Sequence, residues 1–154
     1  MHRQTQNALR IAGWSTIAIA AGHVLGLLSA WRFFRAVGIE PDMRELAAQG
    51  AALPYVLTLL TAAAFLVAGV YALSGAGDVR RLPFLRTALV MIAAIFVYRA
   101  TLYEGIDAVR DGDGTQIAFA AIALLIGLGY ASGAVAHLRA RTAAPTCERS
   151  AQAA

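Results

Sequence analysis

Four apolar runs, each near twenty residues long, limit what this chain can fold into. They are Ile11 to Trp31, Leu53 to Leu73, a third from near Pro83 to about Ile106, and Ile117 to Ala136. At ~1.5 Å rise per residue, ~20 helical residues cross a ~30 Å hydrocarbon core. Runs this long and apolar on every side have no face to offer water, so they are not surface helices of a soluble domain. Lipid requires the backbone to satisfy itself locally, which selects helix over strand. The second and fourth runs carry no charge, the first only His23 among ionisable residues, and the third Arg86, Arg99 and Glu104.

Composition agrees. Only 14% of the 154 residues are charged, where a soluble domain has about a quarter. The expected fold is all-α: an integral membrane four-helix bundle with helices at about 11–31, 53–73, 84–106 and 116–137. One transmembrane domain covers 1–138, and a disordered cytoplasmic tail covers 139–154. The tail is small, polar and alanine-rich, too poor in apolar surface to order itself. Met1 to Arg10 is a positive start and Ala18-Ile19-Ala20 mimics a cleavage site. The apolar stretch continues to Trp31, past the usual signal-peptide core, so the first run reads as a retained helix.

The connections add detail. Residues 32–52 form the longest, opening with Trp31, Phe33 and Phe34 among Arg32 and Arg35, a composition suited to the headgroup layer. Met43 to Gln49 reads as a short interfacial helix, with Asp42 as N-cap and Gly50 as stop. The second connection, Ser74 to Leu82, is a tight turn, with Pro83 in the first turn of the next helix. The third contains Asp111-Gly112-Asp113-Gly114, a loop signal. It lacks the terminal glutamate of a calcium-binding loop.

All thirteen basic residues are arginine. With the N-terminus inside, eight lie on the inner side (Arg3, Arg10, Arg80, Arg81, Arg86, Arg139, Arg141, Arg149) and five on the outer. The inner excess predicts both termini in the cytoplasm of a bacterial inner membrane. Arginines that flank apolar runs leave no basic face for nucleic acid. The expected partners are the lipid bilayer and either a membrane protein or a second copy of this chain.

The segment Tyr71-Ala72-Leu73-Ser74-Gly75-Ala76-Gly77, followed by Arg80-Arg81-Leu82-Pro83 and Leu85-Arg86-Thr87, resembles a group of small bacterial four-helix inner-membrane proteins. The likeness is strongest from helix two into helix three. It implies fold and location and carries no activity. Other four-helix families fit less well. Small multidrug exporters place a glutamate in helix one, which has no carboxylate here. Quinone-linked disulfide enzymes need paired cysteines, and Cys147 stands alone. His23 and His137 fall at different depths, which disfavours a bis-histidine haem. No metal, cofactor or catalytic set is expected.

Ionisable side chains inside a membrane invite a functional question. His23 is twelve residues past Ile11, and Arg99 thirteen past Arg86, so both lie about 18–20 Å from the inner edge. Thr58, Thr61 and Tyr98 fall in the same layer. Arg99, Tyr103 and Asp107 share a face at four-residue spacing, while Glu104 points elsewhere. Two readings stand side by side. In one, His23, Thr58, Thr61, Tyr98, Arg99, Tyr103 and Glu104 form a periplasm-facing pocket for a small amphiphile or lipid. In the other, Arg99 snorkels to the surface and His23 satisfies a carbonyl or a threonine. Gly22 with Gly26, and Gly129 with Gly133, have the GxxxG spacing that lets helices approach, chiefly within the bundle.

Three function classes follow. They are an accessory or structural membrane subunit, a binder or carrier of a small amphiphile, and an enzyme. The first needs no motif and leads. The last would need an activated nucleophile or an acid–base pair, and the sequence displays neither.

Overall fold

The computed structural model describes residues 3–103 and 105–151, with side chains described for all of these except Tyr103, Asp107 and 140–151. It is helical, with no strand among the described residues. Helix α1 is Arg3–Gly26, followed by a 3₁₀ turn at Leu27–Ser29 and α2 at Ala30–Ala36. Then come α3 Glu40–Gln49, α4 Leu53–Ala76 and α5 Leu85–Tyr98, a π turn at Arg99–Tyr103, α6 Gly105–Asp111 and α7 Gly114–Ala151. Among the described residues, four segments are long and apolar enough to cross a membrane: Arg3–Ala36, Leu53–Ala76, Leu85–Leu102 and Gly114–Arg139. All four apolar runs thus become helices of spanning length. The chain divides into two compact units. One holds Met1–Ser15 with Ala68–Ala154, the other Thr16–Val67.

The turns share one device. Gly38, Gly77 and Gly112 have φ of 81°, 89° and 68°, the left-handed region that only glycine enters without penalty. After α4, the Asp78 N–H donates to the Leu73 carbonyl and the Gly77 N–H to Ser74, at 3.0 and 3.2 Å. Ile39 to Phe34 and Asp113 to Ala108 repeat the longer bond. These are Schellman closures, which satisfy carbonyls that a helix end leaves open.

Several boundaries differ from the sequence reading. The third connection shrinks to Gly112 and Asp113, because Gly105–Asp111 is helical and Asp113 Oδ1 accepts from the Thr115 and Gln116 N–H groups at the start of α7. Helix α3 starts at Glu40, so Asp42 lies in its first turn and does not cap it. Pro41, whose fixed φ suits a first helical turn, explains the earlier start. Gly50 ends α3 with extended backbone, φ 178°. Pro83 lies outside α5, whose N-cap is Phe84 at φ 54°. Helix α7 continues to Ala151, past the point where composition suggests an unordered tail. The π turn interrupts the third span. The four-residue face of Arg99, Tyr103 and Asp107 assumed an unbroken 3.6-residue period, which a turn of i→i+5 bonds does not keep.

In the first unit, Leu9 is fully buried. A Cβ added at Gly133 would meet Leu9 side-chain carbons at 2.5–2.6 Å, and one at Gly75 would meet Leu9 Cδ1 and Leu89 Cδ1 at 3.2 Å. Leu9 of α1 is therefore a knob seated against glycines of α4 and α7, beside Leu89 of α5. Gly129 opposes Ala12 and the Ala8 carbonyl, and Gly13 opposes Ala72 and the Gly69 carbonyl. Tyr130 is buried and stacked on Phe96, with ring centroids 5.8 Å apart. The Gly129 and Gly133 pair thus packs within the chain. The other pair differs. A Cβ at Gly22 would meet nothing within 4 Å, and one at Gly26 would first meet the nearby Phe33 ring.

In the second unit, Glu40 joins α2 to α3. Its carboxylate accepts from Arg35 Nε at 2.7 Å and from Arg44 Nη2 at 2.6 Å. Arg44 also lies 5.1 Å from the Trp31 ring centroid, a cation–π contact. The hydrogen bond from Arg35, then that from Arg44, lowers the Glu40 pKa from its ordinary 4.5 to about 2. A lowered carboxylate stabilises the fold above its unfolded value and loses that contribution as pH falls through its folded value. In a Trp14→Phe background, Trp31 emission should hold from neutrality down to 4.5 and change between 4.5 and 2. Glu40→Gln should show the acid spectrum at every pH. A transition centred above 4.5 would refute the clamp.

Candidate functional site

The proposed polar layer draws His23, Thr58 and Thr61 from the second unit and Tyr98, Arg99, Tyr103 and Glu104 from the first. His23 Nδ1 lies 2.8 Å from the Ile19 carbonyl. A carbonyl only accepts, so Nδ1 carries the proton. The imidazole ring packs against Phe33 and Phe65, at centroid distances of 5.6 and 5.3 Å. The Thr58 hydroxyl donates to Pro54 at 2.7 Å, and that of Thr61 to Leu57 at 2.9 Å. Each of these three groups bonds one turn back on its own helix, a common way for a polar side chain to exist inside lipid. In the first unit, Tyr98 is exposed at the end of α5, and Arg99, also exposed, opens the π turn. Glu104 and the Tyr103 side chain lie outside the described residues.

A different site stands at the turn between α4 and α5, within the first unit. Five contacts shape it. Buried Ser74 donates to the Arg80 carbonyl at 3.1 Å and accepts from the Leu82 N–H at 3.0 Å. Tyr71 donates to the Pro83 carbonyl at 3.3 Å. Asp78 pairs with Arg10 of α1, Nη2 to Oδ1 at 2.6 Å and Nε to Oδ2 at 2.8 Å. That hydrogen bond holds the Asp78 carboxyl below its usual range. His137 of α7 donates from Nε2 to the Gly75 carbonyl at 3.0 Å. The start of α1, this turn and the His137 end of the fourth span therefore meet at one end of the unit.

Here a cavity of about 320 Å³ is lined by Arg81, Leu82, Phe84, Leu85, Arg86, Thr87 and His137. Among the described residues, no acidic side chain lines it. Sequence reasoning used Arg81 and Arg86 for topology, depth and resemblance, and weighed His137 only against a haem. The arginine spacing was a usable signal. His137, fifty residues further on, was not, because only the folded turn brings it near. Among the described residues, no three His, Cys, Asp or Glu side chains gather as a metal ion would need.

No family model, curated protein or solved structure matches this chain.

Proposed function

We propose that the chain is an accessory or structural subunit of a bacterial inner membrane, a four-helix bundle with both termini in the cytoplasm and α3 lying along the membrane surface. One observation carries this reading. Among the described residues, no buried side-chain nitrogen or oxygen lacks a hydrogen-bond partner. Interior polar groups are already used by the fold, while large apolar side chains such as Leu60 and Leu125 face outward at 62% and 69% exposure. In lipid such faces are available to acyl chains or to another membrane protein. In the alternative, a periplasm-facing amphiphile pocket, His23, Thr58 and Thr61 would offer a ligand acceptor positions only, because each proton is held by a carbonyl one turn back.

Two measurements test the proposal. Native mass spectrometry of protein extracted gently from its own membrane should show a reproducible protein partner. A chain carrying only lipid or metabolite would overturn the subunit reading. Cys147 is the only cysteine, so it reports the side of the C-terminus. A membrane-impermeant thiol reagent should label it after permeabilisation and not in intact cells. Strong labelling of intact cells would invert the topology.

A further inference from the structure

We propose that the cavity at the α4–α5 turn binds a phosphate oxyanion, as a phospholipid headgroup or as free phosphate. Neither the Arg81 nor the Arg86 side chain has an ion pair or hydrogen bond to any described residue. The nearby acid of the turn, Asp78, is occupied by Arg10 through both carboxylate oxygens. Two arginines thus line one cavity, with no carboxylate among its described lining residues. Guanidinium forks match phosphate oxygens in planar, paired geometry.

The remaining polar groups suit the same ligand. Thr87 supplies a hydroxyl. His137 donates from Nε2 to the Gly75 carbonyl, which leaves Nδ1 an acceptor, suited to a hydroxyl of the headgroup and not to the oxyanion itself. Phe84 gives α5 no side-chain cap, so the first backbone N–H groups of that helix add donors. The apolar lining says where such an anion would come from. Phe84 is 83% exposed, and it lies with Leu82 and Leu85 at the start of the span Leu85–Leu102. An exposed aromatic at a span end belongs to the headgroup level, where glycerol and the first acyl carbons would meet these side chains. The described lining residues offer no acid for an ammonium group, so an anionic headgroup is favoured over a zwitterionic one.

The test uses the full chain in detergent micelles, with phosphatidylglycerol or phosphatidylethanolamine titrated in and adducts read by native mass spectrometry. Phosphatidylglycerol should be retained preferentially. The double variant Arg81→Gln/Arg86→Gln should lower its retention about tenfold or more, as two basic contacts imply. Arg32→Gln/Arg110→Gln removes the same charge elsewhere and should leave retention unchanged. Arg81→Lys/Arg86→Lys keeps the charge and the fold while removing the forks, and should fall between wild type and the glutamine pair. Inorganic phosphate that binds with the same arginine dependence, and displaces the lipid, would assign the oxyanion to the soluble pool. Equal retention of both lipids without phosphate binding, full retention in the Arg81/Arg86 variants, or equal loss in the Arg32/Arg110 control would overturn the site.

Discussion

Gly133→Leu should leave little folded protein, and Leu9→Ala should cost about 3 kcal/mol in unfolding free energy. Both follow from the seat of Leu9. Its side chain occupies the space a Cβ would take at Gly133 and touches the space of one at Gly75. In lipid, helix association rests on close packing more than on transfer from water. A four-carbon side chain at 133 must displace Leu9 or separate α1 from α7. Removing the knob leaves a void beside Leu89. The double variant Leu9→Ala/Gly133→Leu exchanges the two and should recover more than half of the loss. Denaturant unfolding in micelles, followed by circular dichroism, reads all three. Wild-type stability in Gly133→Leu would show that Leu9 is not seated there.

The second large effect concerns Gly105, and its sign runs against intrinsic propensity. In a helix interior, Gly→Ala ordinarily stabilises by up to about 1 kcal/mol. At Gly105, a Cβ would fall on the Ala100 carbonyl oxygen, five residues back across the π turn. Even the smallest side chain therefore requires backbone movement, and Gly105→Ala should destabilise by about 2 kcal/mol or more. Gly22→Ala is the matched control, since a Cβ there meets nothing within 4 Å, and it should stabilise. Opposite signs for the two alanines are the expected result. A stabilising Gly105→Ala would show that the turn relaxes to ordinary α-helix.

The spans were legible because lipid imposes one requirement, about twenty apolar residues, that a run such as Leu53–Ala76 meets without tertiary help. Packing is a different matter. Leu9 lies between polar residues and Arg10, before the first apolar run, and nothing in its neighbours announces a buried knob. Its burial depends on glycines 66 and 124 residues away. The π turn was equally hidden, since Arg99 to Tyr103 carries neither proline nor glycine. The polar layer was inferred from depth alone. Depth says nothing of partners, and His23, Thr58 and Thr61 found theirs one turn away. The clamp at Glu40 was available to arithmetic, since Arg35 lies five residues before it and Arg44 four after.

The Arg10–Asp78 pair also bears on how the chain is made. Its partners are 68 residues apart, so Arg10 is synthesised well before the acid that pairs with it. Only when the turn after α4 has left the ribosome does Asp78 arrive to neutralise it. Leu9, one residue earlier, must wait longer still, until Gly133 has been synthesised. The same few residues thus form a latch fastened in two steps by the order of translation.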